Sequence, residues 1–210
     1  MSDSTLTDAE IDAANLADWR SIGRALHTRF GTNDFASGLR LVNQIGDAAE
    51  EAGHHPDLDL RYTHLNVRLF SHDAFGITER DTSLARRISQ LAAAMGVAAE
   101  PSAVSTLELA LDSPDYSLIK PFWRAVLAYQ DNPHSEDEVR NDTADQPTIW
   151  FQHSGSEEIR QRFHIDIRVP PEVAKQRIES AVAAGGRVVD EAPTFVVLAD
   201  ADGNKVCVCS

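Results

Sequence analysis

The second half of the chain repeats a pattern, and the repeat limits what it can fold into. LELALDSPD, residues 107–115, is followed by a helical periodicity, and HIDIRVPPE, residues 164–172, is followed by another. Matching Pro114 to Pro170 sets an offset of 56 residues, and matching it to Pro171 sets 57. Side chains alternate between the two faces of a strand. Only the offset of 56 lays Leu107, Leu109 and Leu111 on the apolar face carried by Ile165, Ile167 and Val169. Two strand-helix-strand units of similar length predict one domain built by duplication.

The other elements of this half follow from local pattern. Thr106 to Asp112 reads as a strand, and Pro114 stands where a first-turn proline opens a helix that runs to Tyr129. Residues 131–146 are acidic, polar and without period, which predicts a loop. Thr148 to Gln152 and Phe163 to Val169 read as strands. A helix follows Pro170-Pro171 to Ala184 and stops at Gly185-Gly186. Thr194 to Ala199 and Lys205 to Cys209 read as strands about a turn at Asp202-Gly203-Asn204.

The first half has its own pattern. Thr7-Asp8-Ala9-Glu10 is a capping box that opens a helix. Arg24 to Phe30 reads as a strand. Phe35 to Ala52 reads as a helix whose apolar stripe is Phe35, Leu39, Val42, Ile45, Ala49 and Ala52, stopped by Gly53. Tyr62 to Ser71 alternates, with Leu65, Val67 and Leu69 facing inward. Thr78-Glu79-Arg80-Asp81 is a second capping box, for a helix through Leu84, Ile88, Leu91 and Met95 to Gly96. Val97 to Ser105, containing AAEPSA, reads as a linker, so domains are expected at 1–98 and 104–210.

Composition narrows the function class. Within 210 residues the formal net charge is −14, which argues against nucleic acid and anionic membranes as partners. No apolar run reaches the roughly 18 residues of a membrane span. The acidic start MSDSTLTDAEID lacks the apolar centre of a signal peptide, so a cytoplasmic location is expected. Cys207 and Cys209, two apart on a strand, are not placed to bridge each other.

The chemistry-bearing residues of the first half are His54, His55, His72 and Asp81. His55 to His72 spans seventeen residues, and His72 to Asp81 spans nine. A helix end, a strand end and a helix start can meet at one edge of a small sheet. Imidazoles and a carboxylate gathered there suit acid–base work near neutral pH. Plainer roles stand beside that one. His54 can complement a helix C-terminus, Asp81 can simply complete its capping box, and the histidines can bind a metal.

Residues 5–96 resemble the pterin-4a-carbinolamine dehydratase family. The residues that carry the likeness are Glu50, His54-His55-Pro56, Tyr62, His72 and Asp81, with SHD at 71–73, GITERD at 76–81, Trp19 and FGTNDF at 30–35. The resemblance implies a four-stranded antiparallel sheet with helices on one face, assembled as a homodimer or homotetramer. It implies dehydration of 4a-hydroxytetrahydropterin to quinonoid dihydropterin, with a small-molecule pterin as substrate and with no cofactor. It assigns His54 and His72 as the acid–base pair and Asp81 as their support. His55, Tyr62 and Glu50 would bind substrate. The chain departs from the pattern at Leu58, Thr63 and Phe75, and Phe75 is expected to narrow the pocket.

Residues 104–210 resemble the glyoxalase/bleomycin-resistance, or vicinal oxygen chelate, superfamily. The likeness rests on LDSPDYSLIKPFWRAVLAY (111–129), RFHIDIRVPPE (162–172), AAGG (183–186), APTFVVLADADGNKVCV (192–208) and the duplication. It implies a second α+β domain of two βαβββ units, so the whole chain is expected to be α+β. The positions where metal-using members place ligands are Glu108, Gln152, His164 and Cys207. A cysteine where an acidic ligand is usual counts against that metal, so none is expected. The implied protein is a dehydratase joined to a glyoxalase-like domain of unassigned ligand. The alternatives are a non-catalytic binding or oligomer-building fusion, and a metal-dependent activity in the second domain.

Overall fold

The structure, a computed structural model, describes residues 4–141, 146–155, 163–199 and 205–210. The chain divides into two compact units, Met1–Val104 and Ser105–Ser210.

The first unit opens with helix α1 (Asp8–Ala13), capped by Thr7 and Glu10 as their spacing predicts. Strands β1 (Arg20–Ile22) and β2 (Ala25–Gly31) form a hairpin, followed by helix α2 (Phe35–Ala52). A second hairpin, β3 (Asp57–Leu60) and β4 (His64–Leu69), leads to helix α3 (Glu79–Ala94). The antiparallel order is β1-β2-β4-β3. A short fifth strand, β5 (Ala98–Ala99), pairs with the same edge of β2 that β1 occupies. The stretch expected to be a linker is therefore built into this unit, where Glu100 N–H also donates to the Arg29 carbonyl at 2.7 Å. Two alanines on a sheet edge pair through backbone alone and leave no side-chain period to read.

Both helices pack on one face of the sheet. Leu26 and Phe30 of β2, with Leu65, Val67 and Leu69 of β4, meet Leu41 and Ile45 of α2 and Leu84 and Ile88 of α3. Each such side chain contributes roughly 1.5–3 kcal/mol on burial. Trp19 closes one end, edge-on to Phe30, and its indole N–H donates to Ser89 at 3.1 Å. The buried stripe of α2 is Gly38, Leu41, Ile45, Ala48 and Ala49. Phe35 and Leu39, expected to face the core, are 49% and 46% exposed. The helix carries two apolar stripes, and the sheet takes the one with smaller residues near Gly38, where Leu60 approaches closely.

The other sheet face is polar. Arg29 donates to Asn66 at 2.8 Å, and Arg68 pairs with Asp57 at 2.7 Å. His27 sits opposite Arg68 on the neighbouring strand. Burial, then the Arg68 charge, lowers its pKa to about 4.

The second unit is one eight-stranded sheet. Its elements are β6 (Thr106–Ser113), α4 (Tyr116–Leu127), β7 (Gln130–Asn132), β8 (Ser135–Arg140), β9 (Thr148–His153), β10 (Phe163–Arg168), α5 (Pro171–Ala183), β11 (Arg187–Ala192), β12 (Phe195–Ala199) and β13 (Lys205–Cys209). The order β11-β12-β13-β10-β6-β9-β8-β7 places two βαβββ halves side by side. At their seam β6 and β10 run antiparallel with Leu109 opposite Ile165, and 165 − 109 gives the offset of 56. Leu111, Tyr129, Val139, Ile149 and Phe151 form one core, beside Ile119 and Trp123 of α4. Val169, Ala174, Leu198 and Val208 form the other, beside Ile178 of α5.

Three details differ from the sequence reading. The acidic stretch expected to be a loop is largely the β7–β8 hairpin, with 142–145 outside the described residues. It lies at the sheet edge, so most of its side chains meet water, and only Val139 and the polar Asn132 are buried. Strand β11, at the opposite edge, carries no buried residue and gave no pattern. Helix α4 begins at Tyr116, two residues past Pro114, where Asp115 accepts from Ser117 N–H at 3.0 Å. The expected turn at 202–204 lies outside the described residues.

Candidate active site

The two adjacent histidines separate because α2 ends in a left-handed residue. Gly53 has φ +59°, a conformation glycine adopts at little cost. The turn lets the His54 N–H return to the Ala49 carbonyl at 3.1 Å. His54 is thereby folded under the helix, 7% exposed, while His55 stays outside.

His54 Nε2 lies 2.7 Å from Asp81 Oδ1. Asp81 is fully buried at the start of α3. Its Oδ2 accepts from Ser71 Oγ at 2.7 Å, from the Thr78 N–H at 2.7 Å and from Thr78 Oγ1 at 3.1 Å. One carboxylate therefore ties together the end of α2, the segment after β4 and the start of α3. The capping role and the histidine partner are both present in Asp81, one on each oxygen. Charge-assisted bonds of this kind are stronger than neutral ones, and they fix the imidazole.

His54 also lines a cleft of about 520 Å³ whose other polar walls are Glu51, Glu79, Arg80, Ser83 and Arg87. His55, His72, Tyr62 and Glu50 do not line it. His55 Nε2 faces Glu50 Oε1 at 3.0 Å, both well exposed. Tyr62 is 73% exposed. His72, also exposed, stands edge-on to Phe70 with centroids 5.1 Å apart. Its backbone neighbour Ser71 is the residue bonded to Asp81. The structure thus joins His54 to Asp81 and leaves the other four on the surface nearby in sequence.

Phe75 does not narrow this cleft. It packs on Phe70 and Ala25, with the Arg24 guanidinium 5.0 Å from its ring centroid. Its φ of +54° turns the ring that way, a backbone state uncommon for a bulky residue. Ser71 was not singled out from sequence as a site residue. The signal available was a hydroxyl directly beside His72, at the end of an alternating strand.

In the second unit the strand parity puts Glu108, Asp112, Trp150, His164, Asp166, Arg168 and Cys207 on one sheet face. Of the ligand positions implied by the vicinal oxygen chelate resemblance, His164 and Cys207 lie together on this face, and Glu108 and Gln152 do not join them. Glu108 Oε2 accepts from Arg168 Nε at 2.8 Å, and Gln152 is exposed. His164 instead has Asp166 Oδ1 at 3.4 Å from Nε2 and Asp112 Oδ1 at 3.9 Å from Nδ1. Cys207 and Cys209 are free thiols. Burial, then the nearby Asp166 charge, pushes the Cys207 thiol up to about 12.

Comparison with known proteins follows the same division. Residues 4–91 match the family model described as Pterin 4 alpha carbinolamine dehydratase, and residues 108–209 match the Glyoxalase-like domain model. Two bacterial relatives carry the name "Putative pterin-4-alpha-carbinolamine dehydratase". The one from Koribacter versatilis is 39% identical over 89 residues, covering 41% of this chain and 95% of that protein. The one from Thermosynechococcus vestitus is 44% identical over 85 residues, covering 40% of this chain and 90% of that protein. A crystal structure described as a transcriptional coactivator/pterin dehydratase from Brucella melitensis aligns with a TM-score of 0.41 at 29% identity, over 42% of this chain and 99% of that one.

Proposed function

The chain belongs, through its first unit, to the pterin 4 alpha carbinolamine dehydratase family, and we propose that this unit dehydrates a 4a-hydroxytetrahydropterin to the quinonoid dihydropterin. The observation that carries the reading is His54, which lines a cleft between the end of α2 and the start of α3 and is held at 2.7 Å by the buried Asp81 behind it.

The reaction needs a proton on the departing C4a oxygen and the removal of one from a ring nitrogen; water leaves and no electrons are exchanged. With Nε2–H donated to Asp81, His54 keeps Nδ1 as the nitrogen that gains or loses the proton. Asp81 holds that tautomer and steadies the imidazolium. His72 is the second acid–base group. His55, oriented by Glu50, and Tyr62 hold the pterin ring. The reaction as proposed draws on no cofactor and no metal.

We assign the dehydratase to the unit Met1–Val104 and the glyoxalase-like half to Ser105–Ser210, which extends the expected 1–98 to take in β5 and Glu100. A homodimer or homotetramer is supported by the exposed Phe35 and Leu39 stripe on α2. A cytoplasmic location is part of the same reading; no described helix is long and apolar enough to cross a membrane.

A second reading is favoured by one observation, that His55 and His72 do not line the His54 cleft. On it the unit binds a pterin or builds an oligomer without turning it over. A carbinolamine dehydration assay separates the two. The catalytic reading expects turnover by the wild type, reduced about 10²–10⁴-fold in His72→Ala, the range for loss of a general acid or base. No rate above the uncatalysed background in the wild type would overturn it.

A further inference from the structure

We propose that the second unit binds one zinc-class divalent cation through His164 Nε2, Asp166 Oδ1 and Cys207 Sγ. The three ligand atoms lie within 4.8 Å of one another. His164 and Asp166 stand two apart on β10 and so share a face, and Cys207 sits directly beside Asp166 on the parallel strand β13. His164 Nε2 and Asp166 Oδ1 are 3.4 Å apart. Nitrogen and oxygen ligands on one tetrahedral zinc, each at about 2.0–2.1 Å, stand about 3.3 Å from each other.

The second, independent observation is an unsatisfied atom. Asp166 is 5% exposed, and its Oδ1 has no hydrogen-bond partner. Leaving a buried carboxylate oxygen unmet is costly. Its other oxygen is met, since the Trp150 indole N–H donates to Oδ2 at 3.0 Å. Trp150 therefore fixes the carboxylate with one oxygen held and the other turned to His164. The imidazole is treated the same way. Asp112 Oδ1, also buried without a partner, lies 3.9 Å from His164 Nδ1. A carboxylate behind the far nitrogen of an imidazole selects the tautomer whose near nitrogen is free for metal. Asp166 thus has a hydrogen-bonded outer partner on the oxygen that would not bind, and His164 has a carboxylate facing its far nitrogen at 3.9 Å, beyond hydrogen-bond distance.

The ligand types choose the ion. A thiolate, an imidazole and one carboxylate suit zinc rather than magnesium or calcium, which prefer all-oxygen shells. All three ligands come from one half of the duplication, and Arg168 withdraws Glu108 from the other half. His164 and Cys207 stand at positions the resemblance implies; what differs is that Asp166 replaces the ligands of the other half and that a thiolate makes the set softer. Loading converts the Cys207 thiol to a thiolate and releases one proton per ion. Three protein ligands leave a fourth position for water or a small ligand.

The test uses the full chain, purified reduced and stripped with a chelator. Zinc(II) alone is titrated against a chromophoric competitor, and cobalt(II) alone is followed by absorption. The expected result is one ion per chain, with a thiolate-to-cobalt charge-transfer band. Cys207→Ser should abolish that band, and Cys207→Ser and Asp166→Asn should each weaken zinc at least tenfold. Cys209→Ser should bind as the wild type does, and so should His72→Ala, whose histidine lies in the other unit. Asp166→Asn is nearly isosteric, so it carries the test if Cys207→Ser fails to fold. No bound zinc in the wild type, equal affinity in Asp166→Asn, or loss of binding in His72→Ala would each overturn the assignment.

Discussion

Asp81 and Asp166 are both buried aspartates, one in each unit, and they are treated in opposite ways. Asp81 meets four donors, from His54, Ser71 and Thr78 twice, and has nothing left to offer. Asp166 meets one, from Trp150, and keeps Oδ1 unmet beside an imidazole and a thiol. A saturated carboxylate is a fixture, and its neighbours are positioned by it. An unsaturated one in the same kind of burial invites a cation. The difference teaches that buried acids must be read by their unfilled atoms, since burial and a nearby histidine are common to both.

The comparison can be broken most directly at Asp81. Asp81→Ala strands three donor groups and the buried His54. Dehydration should fall about 10²–10⁴-fold, and urea unfolding should show a loss of about 3 kcal/mol or more. Loss of activity with full stability would mean that the carboxylate is not the structural tie described here.

His27 sharpens the contrast between the units by placing an acid-sensitive group in the first. Its folded pKa of about 4 lies below the ordinary value of 6.5. Between those limits the unfolded chain binds the extra proton and the folded chain does not. Stability therefore falls as pH drops from 6.5 toward 4, by about 3 kcal/mol at the acid end. His27→Gln should flatten that slope in urea unfolding measured across pH. An unchanged slope would place the acid sensitivity elsewhere.

Ser71 tests whether saturation itself matters. Ser71→Ala removes one of the four donors, and dehydration should fall about tenfold with an altered pH profile, at a stability loss of about 1 kcal/mol. Ser71→Thr keeps the hydroxyl and should restore both. The smallest effect is expected at Asp166. In chelator, Asp166→Asn keeps an acceptor for Trp150 and removes an unmet buried charge, so thermal unfolding should be unchanged or stabilised by up to about 1 kcal/mol. A loss comparable to Asp81→Ala would show that Asp166 is tied in by contacts of the same weight.

Much of the fold was legible in the sequence, and for physical reasons. The alternation of Leu65, Val67 and Leu69 set the inward face of β4, and the capping box at Thr78–Asp81 set the start of α3. The duplication offset of 56 reappears as the Leu109–Ile165 pair at the seam. What escaped was whatever side chains do not record. Strands β1, β5 and β11 are short or lie at edges, held by backbone bonds and facing water. The Asp166 site escaped because spacing names ligand types and not which oxygen is filled. The expectation is of no metal, with Glu108, Gln152, His164 and Cys207 as the candidate positions, and the structure gives Glu108 to Arg168. In the first unit the structure joins His54 to Asp81 but does not bring His55 and His72 to the same cleft, and the parting of His54 from His55 depends on the left-handed turn at Gly53.

The central claim is that His54, held by Asp81, exchanges protons with a pterin carbinolamine. The most direct measurement is the stopped-flow rate of carbinolamine dehydration for the wild type and for His54→Ala, each shown folded by circular dichroism. The account predicts a wild-type rate well above the buffer reaction and a fall of about 10²-fold or more in His54→Ala. A wild-type rate no faster than buffer, or a folded His54→Ala that matches the wild type, would contradict it.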